Sequence, residues 1–174
     1  MIEINKIYLF VLISLFGCNK NILPPDESII EAILDKGDYY NLITSVSDTL
    51  ISNPWHISLQ YDNVVCAGME APMYIIIINE GVSVNIVDET IGSDLTAEDF
   101  NSDLVVSNES LGFNGSNEVI HYSGCDDNFE THNVSVNNTE RVYLLHDTTT
   151  NNYFKLQFVD FISPTILFQY SIIY

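Results

Sequence analysis

Residues 141–174 constrain the fold more than any other stretch of this sequence. They contain three segments rich in β-branched and aromatic residues, separated by the polar tract 147–152 and by a turn at Ser163-Pro164. The three segments are 141–146, 153–161 and 165–174. Such residues suit a pleated, half-buried surface. The pattern predicts three consecutive strands.

The last of these segments alternates strictly. Its even-numbered residues are the larger and more apolar ones: Ile166, Phe168, Tyr170, Ile172 and Tyr174. Residues 167, 169, 171 and 173 form a more polar set. Side chains on a strand point alternately to opposite faces, so the apolar set shares one face. The C-terminal strand is therefore expected to lie in the core, and truncating it should prevent folding.

The remaining segments are shorter. The apolar run 73–78 and the alternating residues 82–86 predict a hairpin whose first strand is buried on both faces. Two short strands are expected at 119–122 and 133–136. Residues 27–36 carry apolar side chains at helical spacing before Gly37, which predicts one short N-terminal helix. We expect an all-β fold, a mostly antiparallel sandwich or strongly twisted sheet with that one helix.

The start of the chain has the pattern of an export signal. Lys6 precedes the apolar run 7–16, which is too short to span a bilayer, and Gly17-Cys18 follows. This resembles a bacterial lipobox, so we expect lipidation of Cys18 and attachment to the bilayer. The alternative is an ordinary secretory leader with an incidental cysteine. The predicted organisation is a signal peptide at 1–17, a lipidated cysteine and tether at 18–28, and one β-rich domain at 29–174.

Composition excludes some functions. The chain has 5 Lys and Arg against 24 Asp and Glu, a formal charge of −19. Such a surface repels phosphate backbones, so nucleic acid is not an expected partner. No nucleophile elbow, zinc-protease motif or phosphate-binding glycine loop is present, and we expect no enzymatic activity.

Beyond Cys18, two cysteines remain. Cys66 and Cys125 form an even pair in a chain with an export signal, so a disulfide is expected, with two free thiols as the alternative. Neither cysteine has the spacing of a zinc or redox motif.

The C-terminal pattern also resembles a known family. Residues 142–145 (Val-Tyr-Leu-Leu), a polar turn, residues 153–161 and residues 166–172 are similar to the C-terminal signature of the HmuY-like haem-binding lipoproteins of Bacteroidetes-type bacteria. The segment Trp55-His56-Ile57-Ser58-Leu59 resembles a second family element. The resemblance covers roughly residues 38–174. It implies an outer-membrane lipoprotein, on the periplasmic or the cell-surface face, that binds haem or a related porphyrin for iron acquisition and passes it to an outer-membrane transporter.

The resemblance also directs attention to ligands for haem iron. Iron in a haem carrier takes one or two axial His or Met ligands. His121 and His132 are candidates because the resemblance places the family's ligands around the segment 107–132. Met69 and Met73 are candidates because either could approach from the loop 66–73. Structural roles are the alternative: hydrogen-bonded strand residues for the two histidines and core packing for the two methionines. We expect no metal beyond haem iron, since the acidic clusters at 94–103 and 126–130 match no calcium loop.

Two hypotheses follow. The first is a lipid-anchored haem-capture protein. The second is a structural or interaction lipoprotein of the same fold that binds a protein or a glycan through polar loops. Two further expectations concern the second family element: Trp55 is predicted to anchor the core, and His56 to lie at the surface or on an edge.

Overall fold

The computed structural model describes residues 28–66, 68–87, 89–125 and 133–173, with the side chain of Cys125 outside this description. Eleven strands and one short α-helix make up the described part, together with three single turns of 3₁₀-helix. The strands are β1 (Ile30–Asp35), β2 (Tyr39–Asn41), β3 (Val46–Asp48), β4 (Ile57–Cys66), β5 (Met69–Ile78), β6 (Val82–Val87), β7 (Ile120–Tyr122), β8 (Val134–Val136), β9 (Val142–Asp147), β10 (Asn152–Ile162) and β11 (Thr165–Ile173). The helix is α1 (Asn108–Leu111), and the 3₁₀ turns are Ala97–Asp99, Ser102–Leu104 and Ser123–Cys125.

The strands form three antiparallel sheets. The first has the order β1-β11-β10-β9-β6, the second has the order β3-β2-β4-β5, and β7 and β8 form a separate ribbon. One large hydrophobic cluster takes residues from all three sheets. The all-β, antiparallel fold expected from the sequence is therefore confirmed, as are the three C-terminal strands and the β7–β8 pair.

The expected N-terminal helix is wrong. Residues 30–35 form β1, which pairs antiparallel with β11 from Ile30 opposite Tyr170 to Asp35 opposite Thr165. Leu34 is fully buried, whereas Ile33 is 59% exposed. A strand and a helix both fit the apolar positions of this short segment. Pairing with the last strand decides between them, because tertiary context overrides weak local preference.

The expected hairpin between residues 73–78 and 82–86 is also wrong. The strand β5 pairs with β4 in the second sheet, whereas β6 pairs with β9 in the first sheet. The turn between them, Asn79 to Gly81, carries the chain from one sheet to the other. Only alternate residues of the run are fully covered: Ile76 and Ile78 are buried, and Ile75 and Ile77 are partly exposed. A continuous apolar run does not by itself distinguish these arrangements.

A second, smaller hydrophobic cluster lies on the other face of the first sheet. It contains Leu144 and Ile173 from the sheet, and Ile91 and Leu95 from the segment 89–104 that covers them. The Lys155 ammonium group, which is 2% exposed, donates a hydrogen bond to the Ser93 carbonyl at 2.7 Å. Polar residues of the alternating strands are thus buried here because a loop closes over them.

A capping box begins the 3₁₀ turn Ala97–Asp99 within the loop 89–104. The Thr96 amide donates to the Asp99 carboxylate at 2.7 Å, and the Glu98 amide donates to the Thr96 hydroxyl at 3.3 Å. These bonds satisfy donors at the start of the 3₁₀ turn Ala97–Asp99.

Candidate functional site

The ribbon β7–β8 carries one of the expected haem ligands. His121 lies in β7 opposite Ser135 of β8, and its side chain is 37% exposed. Its Nδ1 atom is 3.3 Å from Oε1 of Glu118, whose side chain is only 8% exposed. A carboxylate on one ring nitrogen fixes the tautomer and orientation of an imidazole, and metal-binding histidines commonly have such a partner. Sequence analysis did not identify Glu118.

Of the other candidates, the two methionines lie in β5. The strand β5, which carries Met69 and Met73, packs against β7. Met69 is 64% exposed next to the β4–β5 turn, and Met73 is 7% exposed. Met69 is thus open to solvent, whereas Met73 is buried as core packing predicts. His132 lies outside the described residues, and so do Cys18 and the tether.

The expected disulfide has one described side chain. Cys66 ends β4, is 8% exposed and is disulfide-bonded. The side chain of Cys125 lies outside the described part of the chain, so the pairing of Cys66 with Cys125 stays a prediction.

A buried His–Asp pair connects the two large sheets. His56, just before β4, is 3% exposed, and its Nε2 atom is 3.3 Å from Oδ2 of Asp147 at the end of β9. The Leu42 amide donates to His56 Nδ1 at 3.1 Å, so the neutral ring carries its proton on Nε2, facing the carboxylate. The expectation of a surface or edge position for His56 is wrong. The ring fills a gap between sheets and packs edge-on against Phe154, with centroids 5.1 Å apart.

The surroundings of this pair lower the pKa of both side chains. Burial lowers the pKa of His56, and the nearby Asp147 only partly opposes this effect. Burial would raise the pKa of Asp147, but hydrogen bonds from the Thr150 hydroxyl and from the Thr149 and Thr150 amides outweigh it and lower that pKa. A neutral imidazole beside an ionised carboxylate follows. The pair therefore links the segment before β4 of the second sheet to the end of β9 in the first sheet.

The expectation that Trp55 anchors the core is also wrong. Trp55 is partly exposed and lines a shallow depression of about 320 Å³ together with Tyr39, Val46 and Leu50. The Trp55 and Tyr39 rings meet edge to face, with centroids 5.0 Å apart. Alternation alone placed Trp55 on the face of Ile57, but the chain starts β4 only after it.

A polar cleft of about 830 Å³ lies at the edge of the first sheet. Its polar lining consists of three amides, two carboxylates, one guanidinium and one hydroxyl: Asn117, Asn138, Gln157, Glu89, Glu140, Arg141 and Thr90. Among the described residues, Arg141 has no carboxylate within 4.0 Å. Sequence analysis missed this cleft, because its residues come from four separate segments: 86–91, 117, 138–141 and 157.

The described residues hold neither a cluster of metal-ligating side chains nor a membrane-spanning helix. No group of three or more His, Cys, Asp or Glu side chains in that part of the chain is placed to hold a metal ion. Within the same residues, no helix has the length and apolar character needed to cross a membrane.

Comparisons with protein-family models, with curated proteins and with solved structures found no match to this chain.

Proposed function

We propose that this protein is a lipid-anchored outer-membrane protein that captures haem or a related porphyrin for iron acquisition. The observation that carries the proposal is the His121–Glu118 pair, a partly exposed imidazole beside a buried carboxylate at 3.3 Å. The neighbouring β5, with the exposed Met69, and the resemblance to HmuY-like lipoproteins support the same conclusion.

In this mechanism His121 supplies one axial ligand to the haem iron. Glu118 holds the ring in one orientation and raises its basicity, as outer partners of ligating histidines do. His132 or a methionine of β5 supplies the second ligand. Acylated Cys18 keeps the domain at the bilayer, where an outer-membrane transporter receives the cargo.

The test is a titration of residues 19–174 with haem, followed at the Soret band. We expect a saturable shift to a six-coordinate spectrum. His121→Ala should lower the affinity at least 100-fold, and Glu118→Gln should lower it about 10- to 100-fold. His146→Ala is the matched control. His146 lies in β9 of the first sheet and stacks on Tyr153, with centroids 4.2 Å apart, so this change should leave the haem affinity unaltered. Unsaturable broadening in the parent, or equal affinity in His121→Ala, would refute ligation by His121.

The cleft beside Arg141 favours a second candidate function, a non-haem lipoprotein that binds a glycan. Amides donate to and accept from sugar hydroxyls, and carboxylates accept from them. Ile86, Val87 and Ile91 give the cleft an apolar part for the ring face. Binding of neutral oligosaccharides on a printed glycan array, lost in Arg141→Gln and kept in Lys36→Gln, would support it. Equal signals from the parent and Arg141→Gln would exclude the cleft.

A further inference from the structure

One surface of the described domain exposes large aliphatic side chains next to the lone tryptophan. Ile43, Val46, Leu50 and Ile51 are 40%, 53%, 59% and 65% exposed, and Trp55 is partly exposed beside them. We call these five residues the 43–55 patch. Val46, Leu50 and Trp55 line the same depression, so their side chains are neighbours. Clustered apolar side chains on a surface mark an interaction site, whereas single ones do not.

Side-chain hydrogen bonds fix the turns that present the patch. The Asn41 carboxamide oxygen accepts from the Ile43 and Thr44 amides at 2.8 and 3.1 Å, and its Nδ2 donates to the Pro54 carbonyl at 2.9 Å. Asp48 accepts from the Leu50 amide at 2.9 Å and from Asn53 Nδ2 at 2.6 Å. The polar groups of both loops therefore satisfy one another, and their apolar side chains point outward.

The patch carries little charge. Asp48 is the one acidic residue between Tyr39 and His56, in a chain whose formal charge is −19. No Lys or Arg lies in this interval either. Asp48 lines the depression with Val46 and Leu50, so this apolar surface holds one carboxylate and no cation. Such a surface suits an apolar partner and does not attract anionic groups.

The patch lies at the end of the domain where the chain arrives from Cys18. Ser45, in the turn after β2, is 2.7 Å from the Tyr170 hydroxyl oxygen, and Tyr170 is the β11 partner of Ile30 at the start of β1. Ile29, just before β1, is itself 42% exposed. The ten residues between Cys18 and Ile29 span at most about 40 Å when extended. An acyl chain on Cys18 thus keeps this end of the domain near the membrane.

We propose that the 43–55 patch docks on the lipid bilayer, with Trp55 at the level of the headgroups and the aliphatic side chains at the acyl boundary. Tryptophan is enriched at that level of membranes, and acyl anchors commonly act together with a second membrane contact. This inference rests on the proposed lipid anchoring, which it deepens by assigning the surface that faces the membrane. Contact holds the domain in one orientation and is independent of anionic lipid, since the patch has no cation.

The test uses residues 19–174 without the acyl group and large vesicles of phosphatidylcholine and phosphatidylethanolamine. The protein has a single Trp, so its fluorescence reports directly on the patch. We expect a blue shift on adding vesicles, quenching by brominated lipids, and the same partitioning at low and high salt. The double variant Leu50→Asp and Ile51→Asp should partition at least 10-fold more weakly. Val65→Asp is the matched control, because Val65 is 66% exposed on the β4–β5 hairpin, outside the patch.

Each other result overturns the proposal. An unshifted Trp55 spectrum, or equal partitioning of the double variant, removes the membrane contact. A blue shift that grows with protein concentration in the absence of vesicles assigns the patch to a second copy of this chain. Labelling cells with a palmitate analogue tests the anchor separately: labelled Cys18 without patch binding refutes only the docking, and unlabelled Cys18 with patch binding refutes only the anchor.

Discussion

Replacing Phe168 with alanine tests the central place of the last strand in the core. Phe168 is 1% exposed in β11 and meets the Tyr40 ring edge to face, with centroids 5.0 Å apart, across the space between the two large sheets. Truncating a buried Phe loses its transfer free energy and leaves a cavity, together about 3–5 kcal/mol. The aromatic contact puts this site in the upper half of that range, so we expect a loss of about 4 kcal/mol.

The assay is urea unfolding of residues 19–174, followed by far-ultraviolet circular dichroism. With a slope of about 2 kcal/mol per molar urea, the midpoint should fall by about 2 M. The free energy of unfolding of such a domain is only about 5–15 kcal/mol, so Phe168→Ala could unfold it completely. Phe168→Leu serves as a milder variant, with an expected loss of about 1 kcal/mol. Ile162→Ala is the control, since Ile162 is 59% exposed on the neighbouring β10, and should change the free energy of unfolding by less than about 0.5 kcal/mol. A loss below about 1.5 kcal/mol in Phe168→Ala would refute the packing argument.

Three further outcomes can be measured in the same assay. Burial holds the pKa of His56 below its ordinary 6.5, so below about pH 6.5 the unfolded chain binds a proton that the folded chain does not. The free energy of unfolding should therefore fall as the pH drops below about 6.5. His56→Gln should reduce this dependence on pH, and an unchanged dependence would contradict the assignment. The lowered pKa of Asp147 adds a further loss at lower pH, because its stabilisation is complete only above the unfolded value near 3.8. Asn108→Ala should lower the free energy of unfolding by about 1–3 kcal/mol. The Asn108 side chain accepts a hydrogen bond from the Ile78 amide at 2.8 Å and donates one to the Ile78 carbonyl at 2.9 Å. An unchanged free energy would show that water replaces the lost side chain. Reducing the Cys66 disulfide should lower the free energy of unfolding by about 2–4 kcal/mol, and equal midpoints with and without reductant would refute this.

Local pattern predicted the strands of this protein better than their partners. The segment ending in Ile173 alternates over its whole length, so its type and the buried face of Ile166, Phe168 and Tyr170 could be predicted. The burial of Ser171 and Ile173 on the opposite face could not, because the distant segment 89–104 covers that face. For residues 30–35 the apolar positions fit both a helix and a strand. Pairing with β11 determines that they form a strand. The turn at Gly81 looks like a hairpin in the sequence, because nothing local reveals that β5 and β6 find partners in different sheets.

In the candidate site too, the sequence predicted single residues but not the residues that they contact. Residue type identified His121 as a possible ligand, but its partner Glu118 is set by the geometry of the chain entering β7. His56 and Trp55 are adjacent in sequence and were assigned the wrong environments. His56 is buried because Asp147, far away in the sequence, supplies the compensating carboxylate, and Trp55 is at the surface because β4 begins after it.

The pairing of β1 with β11 has a consequence for biogenesis. A ribosome makes residues 30–35 long before residues 165–173, so the first strand has no partner until β11 has been made. Contacts this distant in sequence form slowly, because a long loop must close first. We therefore expect the β1–β11 ladder to form late in the folding of the domain.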